Sequence, residues 1–180
     1  MGQCEALSTS NADAHVHSHA RTQAFFRDRK KRNIYTAHSN DDGKTWSDCK
    51  ATVLPNNNAG IHAWQMRSGR IAIVYNPQTD SRDPLSISLS EDGGNSFKYV
   101  KRACHPINLY MHSMHGHSSP AHACDRYTRV LEHLDGKQEF SYPTIREDKA
   151  HDGVIHVSYT FKRDAIKYSR ISEKWIMQAP

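Results

Sequence analysis

The sequence predicts an all-β protein built from stacked antiparallel sheets, as in a β-propeller. Segments such as 85–89 alternate apolar and polar residues with the period of two that is typical of half-buried strands. Two copies of one turn signature, at 39–46 and 90–97, lie about fifty residues apart, a repeat that indicates stacked supersecondary units.

Both copies of the turn signature read Ser-x-Asp-x-Gly-x-(Thr/Ser)-aromatic. Ser and Asp side chains cap the backbone N–H groups of a turn, and glycine accepts the left-handed conformation that a hairpin needs. The aromatic residue covers the hairpin. Further strands are expected at 23–26, 33–38, 61–66, 70–76, 85–89, 98–101, 142–146, 154–161 and 166–170.

The signature resembles the Asp-box of the sialidase-like six-bladed propellers. Stretches at 24–29, 54–61, 74–85 and 139–143 resemble the same superfamily and occur in its order. The resemblance implies a six-bladed sialidase-type propeller and, in a full-length form, hydrolysis of terminal sialic acids from glycoconjugates. Because a complete propeller has roughly two dozen strands, we expect this chain to supply about three blades from a C-terminal half, as a truncated or incomplete chain.

The predicted domain covers residues 23–175, after an unstructured tail at 1–22 and with a loop insertion at about 102–138. The insertion contains many of the 13 histidines and two of the four cysteines of the chain. His and Cys clusters can bind zinc or copper, but the spacing here matches no metal-site template. We therefore expect a surface insertion without a metal, and a short helix or amphipathic turn within 125–134.

Charge and hydrophobicity restrict the classes of partner. Lys and Arg outnumber Asp and Glu by 24 to 19, and much of the excess lies at 27–32. Nucleic-acid binding is one interpretation, but no aromatic residues alternate with these charges, so a solvated loop is favoured. A positive field would also attract a sialylated or other acidic glycan. We expect no membrane span, no signal peptide and no cofactor.

The resemblance implies that Arg27 and Arg82 bind the carboxylate of sialic acid. A guanidinium group suits this role because it offers a planar fork of donors and stays charged. The first arginine and the acid/base aspartate of the family have no counterpart in this sequence.

Tyr142 is the candidate nucleophile, since the family attacks its substrate with a tyrosine whose proton a glutamate accepts. The alignment is ambiguous, because the family's Tyr-Ser pair falls on Phe140 and Ser141 in one register. Tyr142 lies two residues after Phe140, so we expect both on one strand face. No glutamate occurs about fifteen residues before Arg27, where the resemblance requires one. A catalytically inactive module that binds carbohydrate or protein, or a scaffold without a sugar site, is therefore the alternative.

The loop at 56–62 completes the candidate site. Asn58 and His62 are predicted to hydrogen-bond substrate hydroxyl groups in the central cleft. An asparagine cluster that only forms a turn is the competing interpretation.

Overall fold

The computed structural model describes residues 14–18, 21–97, 128–134 and 139–178, and these form three antiparallel sheets. Sheet A contains, in spatial order, β1 (Ala14–Ser18), β2 (Arg21–Phe26), β3 (Asn33–Ser39) and β4 (Lys50–Pro55). Sheet B contains β5 (His62–Gln65), β6 (Ile71–Tyr75), β7 (Leu85–Ser90) and β8 (Thr128–Glu132). Sheet C contains β9 (Phe140–Glu147), β10 (Val154–Phe161) and β11 (Ala165–Ser172), followed by helix α1 (Glu173–Met177). The predicted all-β fold of about three blades is confirmed.

Sheet B is buried on both faces because strand β6 is apolar on both faces. Ile71, Ile73 and Tyr75 belong to one hydrophobic core, and Ala72 and Val74 belong to the other. Alternation along a strand sends these two sets to opposite faces of the sheet. The first core joins sheets A and B through Phe25, Ile34, Leu54, Ile61, Ala63, Ile71, Ile73, Tyr75 and Phe97. The second joins sheets B and C through Val74, Leu85, Ile87, Leu89, Phe140, Ile145, Ile155, Val157 and Tyr159, among others.

The first strand of each sheet lies on the same side of the stack. Strand β5 packs next to both β1 and β9, which are the first strands of sheets A and C. Propeller blades place their inner strands around a common axis in this way. The inner strands therefore carry the residues closest to that axis.

The first turn signature forms the predicted side-chain network. The Ser39 hydroxyl accepts hydrogen bonds from the N–H groups of Asp41 (3.3 Å) and Gly43 (2.8 Å). The Asp41 carboxylate accepts from the Thr45 N–H (2.8 Å) and hydroxyl (2.6 Å), and these bonds lower the pKa of Asp41 to about 2. The Trp46 indole donates to the carbonyl of Gly43 (3.0 Å).

The second turn signature repeats the same network at the end of β7. The Ser90 hydroxyl accepts from the N–H of Asp92 (3.4 Å) and of Gly94 (2.8 Å). The Asp92 carboxylate accepts from the Ser96 N–H (2.8 Å) and hydroxyl (2.5 Å). Both predicted hairpin turns are confirmed, each closing a strand with a self-contained network.

Four elements differ from the predictions, and one of them is helix α1, since no helix was predicted at 173–177. Strand β1 lies inside the predicted tail at 1–22 and pairs with β2, with Ala14 opposite Phe25. Strand β8 replaces the predicted turn or helix within 125–134 and lies inside the predicted insertion. Strand β4 was not predicted. Edge strands pair through main-chain groups and need little apolar patterning, so their sequences carry a weak signal.

Several predictions fall on residues outside the described ranges. These are residues 1–13 and 19–20 of the tail, the strand at 98–101, and residues 102–127 and 135–138 of the histidine-rich insertion. The division into tail, propeller and insertion otherwise stays a prediction. The described part of the chain contains no helix with the length and hydrophobicity that crossing a membrane requires.

The second turn offers a matched test of its packing. Gly93 and Gly94 have φ of 69° and 86°, so alanine is strained at either position. A Cβ on Gly94 would lie 2.8 Å from the ring of Phe25, whereas nothing lies within 4 Å of a Cβ on Gly93. We expect Gly93→Ala to lower the free energy of unfolding by about 1 kcal/mol and Gly94→Ala by roughly 2–4 kcal/mol. Urea denaturation measures both, and equal losses would contradict the packing described.

Candidate functional site

One end of the three sheets carries most of the predicted site residues, and we call it the loop end. It consists of residues 27–32, 56–61, 76–84, 139–142 and 162–164. The two turn signatures lie at the opposite end, which we call the hairpin end, together with the turns at 67–69 and 148–153.

Buried polar side chains join the segments of the loop end. The N–H of Asp28 donates to the side-chain oxygen of Asn56 (3.3 Å), which connects sheet A to the loop before β5. The side chain of Asn57 then donates to the carbonyl of Ser81. Loops that would otherwise be separate are thereby held as one unit.

Asn76 links the segment before β7 to the start of β9. Its side-chain nitrogen lies within hydrogen-bonding distance of the carbonyls of Arg82 (2.8 Å), Pro84 (3.1 Å) and Phe140 (2.9 Å). The side chain is fully buried, where a lost hydrogen bond is costly. Asn76 therefore sets the position of Arg82 relative to sheet C.

Arg82 forms a charged cluster with Glu139 and Arg163. The Nη1 atom of Arg82 lies 2.7 Å from one carboxylate oxygen of Glu139, and the Nε atom of Arg163 lies 2.5 Å from the other. The Ser141 hydroxyl donates to Glu139 at 3.1 Å. Burial alone would raise the pKa of Glu139, but hydrogen bonds from Arg163 and Ser141 and the charge of Arg82 outweigh it and lower the pKa.

Tyr142 lies directly against Arg82, with the guanidinium carbon 5.5 Å from the ring centroid. This distance is within the range of a cation–π interaction. The tyrosine side chain is 60% exposed, and its backbone is left-handed with φ of 50°. A bulky residue in this conformation is strained, and such strain is often retained at functional sites.

The predicted strand face of Tyr142 is wrong. Phe140 is fully buried, whereas Tyr142 faces outward. Thr144 pairs with Ser158 and Ser141 with Thr160, so two residues of β9 oppose one residue of β10. This is a β-bulge, and it reverses the alternation. The second of these two residues, Pro143, has no N–H to donate to the ladder, which suits it to a bulge.

The loop carrying Asn58 packs beside the tyrosine. A Cβ on Gly60 would lie 3.3 Å from the ring of Tyr142, so the loop and the ring are in close contact. Asn58 has φ of 68°, and its N–H donates to the side chain of Asn56 (2.9 Å). The predicted turn is therefore present, and the Asn58 side chain is partly exposed.

His62 begins the inner strand β5 and contacts sheet C. Its Nδ1 atom accepts a hydrogen bond from the N–H of Ile145 (3.2 Å). Burial lowers the pKa of His62. The neutral ring then carries its proton on Nε2, which leaves one donor for a ligand.

Arg27 follows β2 and has an exposed side chain. It reaches the rest of the loop end through its neighbour Asp28, whose N–H is bound by Asn56. The structure thus brings Arg82 and Tyr142 into direct contact. Asn58 and His62 lie on adjoining elements, and Arg27 lies on the loop connected through Asn56.

Glu139, Arg163 and Asn76 also belong to the candidate site, although no role was predicted for them from the sequence. Arg163 carried a usable signal. It lies in the short connection between the predicted strands 154–161 and 166–170, where a tight hairpin turn favours asparagine and glycine. Among the described residues, no group of His, Cys, Asp or Glu is arranged to bind a metal ion, and the histidines at 105–122 lie outside those residues.

Comparison with known proteins identifies the family. The BNR repeat-like domain matches residues 3–157. The chain belongs to this family. No match is found among curated proteins.

Solved sialidase structures share the fold. The Hadza microbial sialidase Hz136 has a TM-score of 0.63 at 13% identity, over 89% of this chain and 27% of that one. The intramolecular trans-sialidase from Ruminococcus gnavus has a TM-score of 0.63 at 15% identity, over 92% of this chain and 33% of that one. The leech intramolecular trans-sialidase has a TM-score of 0.63 at 14% identity, over 91% of this chain and 23% of that one. At these identities the likeness establishes a partial sialidase-type propeller, which spans a third or less of each relative.

The environment of His62 predicts a pH effect on stability. Because folding lowers the pKa of His62, the unfolded chain binds its proton more tightly, and stability falls as the pH drops below about 6.5. His62→Asn keeps an acceptor for the Ile145 N–H but does not titrate. We expect this variant to lose less unfolding free energy than the wild type between pH 7.5 and 5.5 in urea titrations, conditions chosen around the ordinary histidine pKa. Equal losses in the two proteins would contradict it.

Proposed function

We propose that the loop end binds the carboxylate of a terminal sialic acid, as part of a sialidase-type glycoside hydrolase that releases such sugars from glycoconjugates. The contact between Arg82 and Tyr142 carries this proposal. This contact places the permanently charged Arg82 guanidinium against the exposed phenol ring of Tyr142, whose backbone is strained, at one end of a sialidase-type fold. Membership of the BNR repeat-like family supports the assignment to this class of fold.

Arg82 is the principal carboxylate-binding residue. Glu139 occupies its Nη1 atom and orients the guanidinium. The remaining edge of the planar fork offers two parallel N–H donors to a ligand carboxylate. Arg27 supplies a further guanidinium from the neighbouring loop. The side chains of Asn58 and His62 bind hydroxyl groups of the sugar.

Tyr142 is the candidate nucleophile. Its hydroxyl oxygen attacks the anomeric carbon and loses its proton to a base, while an acid protonates the leaving-group oxygen as the glycosidic bond breaks. Water then hydrolyses the glycosyl–tyrosine bond, and the anomeric configuration is retained. A neutral nucleophile avoids repulsion from the substrate carboxylate. By resemblance, the acid is an aspartate of the N-terminal blades, and the base is a glutamate about fifteen residues before Arg27, a position at which this sequence has no glutamate.

A second candidate is a catalytically inactive module that binds the same class of acidic glycan, or a protein. One observation favours it. Among the described residues, no carboxylate accepts a hydrogen bond from the Tyr142 hydroxyl. The nearby Glu139 is engaged by two arginines, and its lowered pKa makes it a weak base. A phenol without a base is a poor nucleophile.

Binding and turnover separate the two candidates. We expect Arg82→Ala to weaken binding of N-acetylneuraminic acid by at least about tenfold, because it removes a charge-assisted pair. Chemical-shift titration of the chain measures the affinity. Arg129→Ala is the matched control, since Arg129 stacks on Trp175 at 5.6 Å just as Arg82 stacks on Tyr142. The control should bind like the wild type.

Tyr142→Phe tests the chemistry apart from binding. We expect it to bind N-acetylneuraminic acid like the wild type but to abolish any release of the fluorophore from a fluorogenic sialoside, since only the hydroxyl is removed. Binding without turnover in the wild type would favour the inactive module. Unchanged binding of N-acetylneuraminic acid in Arg82→Ala would overturn the hydrolase and the glycan-binding module alike, and would leave only a module that binds protein.

A further inference from the structure

The turn between β10 and β11 has an unusual composition for its shape. Its two central residues, Lys162 and Arg163, have φ of 55° and 63°. The N–H of Asp164 donates to the carbonyl of Phe161 (3.0 Å), which closes a β-turn inside the three-residue connection 162–164. A turn whose two central residues are both left-handed favours asparagine and glycine. Here two long basic side chains occupy the strained positions.

The ion pair of Arg163 does not account for that strain. Its Nε atom lies 2.5 Å from Glu139, but the side chain is 74% exposed. Exposed ion pairs add little to stability, since water screens the charges and two side chains are immobilised. A glycine would fit the backbone better and would lose little folding energy. The position of the guanidinium is therefore better explained by a ligand.

The cluster around Glu139 has room for one more carboxylate. Arg82 contacts one oxygen of Glu139 through Nη1, and Arg163 contacts the other through Nε. Within the described residues no other carboxylate contacts either guanidinium, so each retains further N–H donors. Two guanidinium charges against one carboxylate leave a net charge of one, which matches a single monoanionic ligand.

We propose that Arg163 is an additional guanidinium of the carboxylate site, and that a sugar acid is bound jointly by Arg82 and Arg163, which Glu139 holds on either side of its carboxylate. This inference rests on the proposed function, because Arg82 is its first anchor. The expected ligand is a sugar whose carboxylate can contact the guanidinium groups of both Arg82 and Arg163. The β10–β11 turn thus contributes to specificity for acidic over neutral sugars.

Arg163→Gly separates strain from recognition, because glycine relaxes the turn while the guanidinium is lost. We expect its melting temperature to rise and its affinity for N-acetylneuraminic acid to fall about fivefold, as for loss of one exposed charge-assisted contact. Its preference for N-acetylneuraminic acid over the methyl ester of that sugar should fall by the same factor. A purely structural role would not change this preference.

Lys31→Gly is the matched control. Lys31 is also basic and exposed, and its φ is 54°. We expect its melting temperature to rise while its affinity and its preference for the free acid stay at the wild-type values. Calorimetry gives the melting temperatures and chemical-shift titration the affinities.

The outcomes distinguish this inference from the proposed function. If Arg82→Ala abolishes binding of N-acetylneuraminic acid and Arg163→Gly weakens it, the proposed function and the inference on Arg163 are both supported. If Arg82→Ala abolishes binding but Arg163→Gly binds like the wild type, the inference on Arg163 is overturned and the proposed function survives. If Arg82→Ala binds like the wild type, both fail.

Discussion

The burial of both faces of sheet B is the constraint on which the rest of the structure depends. Strand β6 alternates between two cores, and its residues Tyr75 and Val74 point to sheets A and C respectively. Burial of an apolar side chain contributes roughly 1.5–3 kcal/mol, so neither neighbouring sheet can be lost without exposing one face of sheet B. Stacking of the three sheets follows, and the inner strands β1, β5 and β9 are brought side by side. The loop end inherits its geometry from this stacking.

Polar anchors at the loop end convert that packing into a defined site. Asn76 binds carbonyls on both sides of the junction between sheets B and C, so the Arg82 segment and the start of β9 move together. The bulge in β9 then turns Tyr142 out of the core and over Arg82. Buried contacts between residues far apart in the sequence therefore determine where the Arg82 and Tyr142 side chains lie.

Local patterns were predictable from the sequence, and non-local ones were not. The turn signatures carry their own hydrogen bonds within eight residues, so the motif alone predicted the hairpins correctly. Strands β1 and β8 depend on edges offered by β2 and β7, which no local pattern reveals. The face of Tyr142 was predicted wrongly because alternation holds only in an unbulged strand, and Pro143 was the available warning. The roles of Glu139 and Arg163 required the pairing of β9 with β10, which brings them together.

The distribution of left-handed residues separates the two ends of the molecule. Among the described residues, the glycines with positive φ are all at the hairpin end, at Gly43, Gly69, Gly93, Gly94 and Gly153. At the loop end the same conformation is adopted by Lys31, Asn58, Tyr142, Lys162 and Arg163, which all carry functional groups. Glycine adopts this conformation at no steric cost. At the hairpin end every left-handed position of the described residues is a glycine except Asp42. At Tyr142 and Arg163 the left-handed backbone is therefore not explained by the shape of the turn alone. In our proposal that reason is recognition of an anionic ligand, which Arg163 and Tyr142 share with Arg82, and the packing of the sheets holds the strained backbone in place.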